Sequence, residues 1–493
     1  MRIRDAVRIA VVFTNPLWPF SLLNKIPYRI ALRAFIMRCA RYPHIKSIYI
    51  RHSFAGNNWL PALSDIDMTI IIEGGLTHKV ELAFLNSFWK TYGKIKKFFP
   101  MLGEITILST DDLEKWPLLS RKIGQSDCWK LVYGNSWPAF ERTPCRNPRQ
   151  MLYYAYAFYY EYLSKKFFSD GVPGHLFLKE INRATQKVAT YVCYGSHGPA
   201  QQAPKTIYDC FSFAIRMLHE ASPGSRQPKL SENTVAFIPE NEDFFIPIKK
   251  HIPTDALFMD HRKKVPDFVQ YLLRYAGSEI LSMLFLPNGN RIYIVIDSAL
   301  SEERAHKLIT VVRKGVLNYR VFYPFIGTAQ MLRESIVTYN PLWYYYLMHK
   351  GKVVYGRDII SELCPPDGNT LDQHLLIKAA YAPIRLRNYP QNNISYMQWL
   401  LGPSAYYYIE ELLQMKLFFE TGYLETSSQP LIERYEKYYP ELRRISDPAI
   451  PSDFEAAALA NERFSLIKAV LKDLDVVLTQ ERSQEAKNII MSF

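Results

Sequence analysis

A chain of 493 residues is longer than one hydrophobic core accommodates, so roughly two to four domains are expected. Its 48% hydrophobic and 14% aromatic content excludes a disordered chain. A formal net charge of +13 suits anionic partners such as nucleoside triphosphates, nucleic acid or phospholipid headgroups, without choosing among them.

In chain order, Arg2 and Arg4 precede an apolar stretch interrupted by Arg8, Asn15, Pro16 and Pro19. It is too short and broken to span a membrane. A packed N-terminal segment is expected, with peripheral membrane contact through Trp18 and Phe20 as the alternative. A helix is predicted around Tyr28 to Arg41, then a short strand over Ile45 to Arg51 (IKSIYIR) with Ile48 and Ile50 on one face. A small-residue turn follows at Ser53, Ala55 and Gly56.

Asp65 and Asp67 then head the run Met68 to Ile72. Residues two apart on a strand share a face, so both carboxylates project together. Like charges held that close repel unless a cation neutralises them, and hard oxygen donors suit Mg2+. The plainer alternative is a turn and strand start, with Ser64 and Asp65 capping backbone groups. Thr77 to Phe98 reads as a helix with Leu82, Leu85, Phe88 and Trp89 at helical spacing. Gly103 to Leu108 (GEITIL) reads as a strand carrying a third acid, Glu104. Asp111 and Asp112 are its rivals, although Asp112, Leu113 and Glu114 look like a helix start. Lys130 to Asn135 reads KLVYGN.

A proline-bearing connector, Pro138 to Pro148, leads to an aromatic helix over Gln150 to Phe168, whose tyrosine stripe is expected to be core. Helices follow near His175 to Tyr194 and Ile207 to Glu220, with loops at Gly195 to Pro204 and Pro223 to Pro239. KVVYGR at Lys352 to Arg357 echoes KLVYGN, and the strand RIYIVI echoes DMTIII at nearly the same offset. An internal duplication is therefore expected. In the second copy Asp65 falls opposite Gly289 and Asp67 opposite Arg291. Arg320 to Phe325 (RVFYPF) stands in place of GEITIL, without a carboxylate. Gly277 and Ser278 are a possible remnant of the turn. Helices are predicted near Leu371 to Ala382, Ile394 to Phe419, Gln429 to Tyr438 and Asp453 to Leu478. The six cysteines form no C-x-x-C pair, which points to free thiols and a cytoplasmic setting. No Gly-x-x-x-x-Gly-Lys loop and no H-E-x-x-H pair is present.

The strand, the small-residue turn with Ser53, and Asp65-Ile66-Asp67 on the next strand resemble the nucleotidyltransferase superfamily of polymerase β and the antibiotic nucleotidyltransferases. The chain departs from that pattern at His52, where the family has Gly. The resemblance implies an α/β plus α architecture: a mixed-sheet nucleotidyltransferase fold followed by a helical domain, repeated twice. The expected divisions are 1–140, 141–235, 255–360 and 361–493, with the third degenerate. It implies Mg2+-dependent transfer of a nucleoside monophosphate from a nucleoside triphosphate to a hydroxyl of a small molecule or protein. Asp65, Asp67 and Glu104 would be catalytic and would hold two Mg2+ (or Mn2+) ions. Ser53, Gly56 and Ser64 would meet the phosphates. A non-catalytic scaffold and a template-free RNA or DNA nucleotidyltransferase are the alternatives.

Overall fold

The computed structural model describes residues 3–56, 59–123, 129–140, 148–169, 174–193, 206–222, 256–286, 291–298, 300–319, 324–388, 395–422, 424–425, 428–442 and 453–479. Helices α1 (Ile3–Thr14), α2 (Phe20–Leu23) and α3 (Ile26–Cys39) lead to β1 (Ile45–Ile50). The one-turn α4 (His52–Ala55) lies in the connection to β2 (Ile66–Ile72). Then come α5 (His78–Phe98), β3 (Leu102–Ser109), α6 (Trp116–Ile123) and β4 (Lys130–Gly134). Helix α7 (Pro148–Phe158) runs through a π turn (Tyr159–Leu163) into α8 (Ser164–Phe167), followed by α9 (Gly174–Cys193), α10 (Ile207–Ala221) and α11 (Ala256–Ala276). Strands β5 (Ile280–Leu286), β6 (Arg291–Ile296), β7 (Phe325–Thr328) and β8 (Lys352–Gly356) alternate with α12 (Glu302–Tyr319), α13 (Ala329–Thr338) and α14 (Leu342–Lys350). The remaining helices are α15 (Gly368–Asn388), α16 (Tyr396–Leu401), α17 (Pro403–Thr421), α18 (Ser428–Tyr435) and α19 (Asp453–Thr479).

The fold is mixed α/β, with two four-stranded mixed sheets of order β3-β2-β1-β4 and β7-β6-β5-β8. In each, the first two strands are antiparallel, the third runs parallel to the second, and the fourth is antiparallel to the first. Strand β2 is buried along its length apart from half-buried Asp67, as an interior strand covered on both sides is.

The described residues gather into two compact units. One draws on Met1–Cys145 and Leu375–Phe493, the other on Arg146–Lys250 and Thr254–His374. The four consecutive segments read from the sequence are thus regrouped. Helices α7 to α10 share a core with the second sheet, where Tyr156, Tyr159, Tyr160 and Phe211 pack with Tyr293, Ile326 and Phe325. In the first unit, Tyr49, Ile71 and Leu108 of the sheet pack with Trp116, Phe140, Ala380 and Ile384. The tyrosine stripe is core: Tyr159 donates to the Ile326 carbonyl at 2.5 Å and Tyr160 pairs with Tyr293 at 2.9 Å.

The end of α15 locks the first unit. Asn388 Oδ1 accepts the Ile107 N–H (2.7 Å), and its amide nitrogen approaches the Ile107 carbonyl. A side-chain amide thereby occupies backbone groups that edge strand β3 would otherwise leave open. Buried Arg387 donates to Glu81 at 2.8 Å and to Asp112, while Lys468 donates to the other Glu81 oxygen at 2.8 Å. Trp89 Nε1 donates to the Arg387 carbonyl (2.8 Å).

Several sequence expectations shift. The helix expected from Tyr28 is α3 and starts at Ile26, where Pro27 suits the first turn. Thr77 precedes α5 as its cap residue. The strand expected over Arg320 to Phe325 is Phe325–Thr328, and 320–323 lie outside the described residues. Gly277 and Ser278 form a 3-10 turn before β5, so they are not a counterpart of the Ser53 turn, which follows β1. Cys39, Cys193, Cys210 and Cys364 are free; Cys128 and Cys145 lie outside the described residues. Among the described residues, no helix is long and apolar enough to cross a membrane.

Burial alone would raise the Glu81 pKa, but Arg387 and Lys468 hold its carboxylate below the ordinary 4.5. A depressed folded-state pKa contributes stability above the ordinary value, and that contribution is lost as pH falls through the folded one. Glu81→Gln should therefore flatten the acid limb of the stability–pH curve below about pH 4.5. Arg387→Met, which leaves buried carboxylates opposed by less charge, should cost about 3–5 kcal/mol in urea unfolding at neutral pH.

Candidate active site

One end of the first sheet collects the acids. Ile50, at the close of β1, lies opposite both Met68 of β2 and Lys130 of β4, and Met68 lies beside Ile105 of β3. Arg51, Asp65, Asp67, Glu104 and Trp129 therefore sit at one common edge. Asp65 and Glu104 are exposed there, and Asp67 is half-buried.

The approach of the three acids is backbone-determined. Asp67 Oδ1 accepts the Glu104 N–H at 2.7 Å. A Cβ on Gly103 would fall 2.3 Å from Asp67 Oδ1 and 2.8 Å from Asp65 Cβ. Both aspartates thus border the same spot, which only a residue without a side chain leaves open. Beneath them, Tyr92 donates its hydroxyl to the Gly103 carbonyl at 2.5 Å. Burial first, then the charges of Asp67, Asp65 and Glu104, push that phenol far up and keep it a donor.

Arg51 supplies the opposing charge. Its side chain is only 3% exposed; Nη2 lies 3.6 Å from Glu104 Oε1, and the guanidinium sits over the Trp129 ring at 5.9 Å. Nε and Nη2 are buried without a hydrogen-bond partner among the described residues. Such groups are costly unless a ligand completes them.

The β1–β2 connection is held under strain. Among the described residues, the non-glycine residues with positive φ are His52 (54°) and Ala62 (67°), one near each end of it. His52 occupies the position where the resemblance expects Gly, in the left-handed conformation that Gly adopts freely. Ala62 is clamped: its N–H donates to the Tyr28 hydroxyl (2.6 Å) and its carbonyl accepts from Arg8. Strain of this kind persists where the surroundings over-determine it, and it clusters at functional sites.

The remaining expected residues divide. Ser53 is half-buried in the single turn of α4, and Gly56 closes that turn at φ −81°. Ser64 is buried, and its hydroxyl accepts the Leu60 N–H at 2.9 Å, a turn-building role. The rival acids lie past the opposite end of β3. Asp112 accepts from Ser109 N–H and Arg387, and Asp111 accepts from Gly75 N–H. Glu104 is the third acid at the Asp65–Asp67 end.

Two carboxylates at an open strand end suit one Mg2+, an ion commonly held by one or two carboxylates plus substrate phosphates. Among the described residues, no three His, Cys, Asp or Glu side chains form a metal-holding group. Glu104 faces Arg51 instead. Gly103, Arg51 and Tyr92 were not singled out from sequence. A glycine inside a strand pattern, next to the third acid, was the available signal for the first.

No family model, no curated protein and no solved structure matches the chain.

Gly103→Ala should displace Asp67 and cost about 1–3 kcal/mol in urea unfolding, as overpacking does. His52→Gly should be neutral to stabilising by up to about 1 kcal/mol, and His52→Val destabilising by about 1–2 kcal/mol. Equal stability of the two His52 variants would contradict the strained turn.

Proposed function

We propose that this protein is a nucleotidyltransferase that moves a nucleoside monophosphate from a nucleoside triphosphate to a hydroxyl acceptor. The observation that carries this reading is the gathering of Asp65, Asp67 and Glu104 around the Gly103 backbone at one end of the first sheet. The sequence resemblance expects two acids at the head of the second strand and one on the next. It also expects a glycine-like backbone where His52 takes positive φ.

In this reading Asp65 and Asp67 hold one Mg2+ with the triphosphate. The ion, when bound, neutralises phosphate charge and stabilises the oxygens gained and lost at phosphorus. Glu104 takes the proton of the acceptor hydroxyl as general base. The acceptor oxygen bonds to the α-phosphorus, the bond from that phosphorus to the bridging oxygen breaks, and pyrophosphate leaves. Arg51, whose buried Nε and Nη2 have no hydrogen-bond partner among the described residues, supplies positive charge to an incoming anion. Ser53 and the adjoining backbone donate to phosphate oxygens. Trp129 covers Arg51 and limits its access to water.

The second sheet is read as a duplicate that lost the chemistry. Its strands keep the same order and senses. Register shifts occur between Ile45 and Ser47 in β1 and between Ile280 and Ser282 in β5. Ser47 donates to the Asn135 carbonyl and Ser282 to that of Arg357, at 2.6 and 2.7 Å. Gly134 and Gly356 share φ near +78°, with no room for a Cβ against the opposite strand. Ile50 pairs with Met68 as Phe285 pairs with Ile292, so the register sets Arg291 at the place of Asp67; Gly289 lies outside the described residues. The long connection that carries α4 in the first copy is replaced by residues 287–290 alone. A non-catalytic role is the second reading, favoured by the Arg51–Glu104 pairing, which occupies the third acid.

Thermal unfolding with each nucleoside triphosphate should show a Mg2+-dependent rise, abolished in Asp65→Asn/Asp67→Asn. Pyrophosphate release with a suitable acceptor should fall at least about a hundredfold in Glu104→Gln. A metal-dependent shift without any transfer, or no shift with any nucleotide, would contradict the transferase and favour the second reading.

A further inference from the structure

We propose that the face built by α1, α2 and α3 docks on an anionic phospholipid surface. This inference does not rest on the proposed nucleotidyltransferase reading. Phe13, Leu17, Trp18, Leu22, Leu23 and Ile30 are all more than half exposed, and Trp18 reaches 80%. Single exposed apolar side chains are ordinary, but so many within one short stretch of sequence are not. The inward side of α3 is filled separately by Tyr28, Ala31, Phe35 and Cys39. Its outward stripe is Ile26, Ile30, Arg33 and Met37, at the spacing of one helix face. Packing within the unit therefore leaves this apolar stripe uncovered.

Charge decides the occupant. Residues 1–41 carry eight Arg and Lys against one acid, Asp5. Arg29, Arg33, Arg38 and Arg41 are exposed. A second copy presenting the same face would bring like charge against like charge. An anionic membrane surface satisfies both features, accepting apolar side chains at the acyl boundary and attracting arginines to its headgroups. Tryptophan is the side chain best suited to that boundary, with an apolar body and one polar N–H. Among the described residues no helix is long and apolar enough to cross the bilayer, so the proposed contact is one of a face lying on it.

The test is co-sedimentation of the full chain with phosphatidylcholine vesicles, with and without about 30% phosphatidylserine, an anionic fraction high enough to attract basic segments. Binding should require phosphatidylserine and weaken with salt. Trp18→Ala/Leu22→Ser/Leu23→Ser and, separately, Arg29→Glu/Arg33→Glu should each lower bound protein roughly tenfold. All these side chains are exposed, and an unchanged thermal midpoint checks that each variant is folded. Equal binding to both vesicle types, no binding, or a wild-type dimer that the apolar variant converts to monomer without vesicle binding would overturn the proposal.

Discussion

Three carboxylates crowded at one end of a sheet set the terms for the first unit. Asp65, Asp67 and Glu104 can come together because Gly103 has no side chain, because the Glu104 N–H donates to Asp67, and because the Tyr92 hydroxyl holds the Gly103 carbonyl. Crowded like charges store repulsion, which an opposing cation relieves. Arg51 relieves part of it from below, at the expense of its own hydration. The strained turn at His52 and the clamp on Ala62 fix a connection that local propensity alone would not form. Conflict between local preference and global arrangement is found most often at functional sites.

Rigidity at that edge comes from elsewhere in the unit. Helix α5 presents Tyr92 to the acids and Glu81 to Arg387, so one helix connects the site to the buried ion network. Asn388 meanwhile closes the outer edge of β3, the strand that carries Gly103 and Glu104. The C-terminal segment thus steadies the site without contributing a side chain to the acids. The two sheets illustrate the same division. The ladder, its register shifts and its glycine are common to both, whereas the acids and the long connection occur only in the first.

Much of this was legible in the sequence. The run from Met68 to Ile72 announced an interior strand, and Asp65 and Asp67 at its head share a face as a period of two requires. GEITIL, the helix after Thr77 and the aromatic helix were readable from length and periodicity. Strand β5 was not, because ILSMLFL follows directly on a helix and a short apolar run has no distinguishing period. The regrouping of helices between units was hidden, since it depends on contacts remote in sequence. Arg51, Gly103 and Tyr92 became visible only through neighbours that the register brings beside them. The hydroxyl of Ser64, read from the sequence as a phosphate contact, accepts the Leu60 N–H within its own turn.

The most direct measurement is a crystal structure with Mn2+ and a non-hydrolysable nucleoside triphosphate, read by anomalous scattering. The account predicts one strong peak at about 2.1 Å from carboxylate oxygens of Asp65 and Asp67, with triphosphate oxygens completing the coordination. An ion bound elsewhere with those two carboxylates unligated, or a nucleotide seated away from the Gly103 edge, would contradict it.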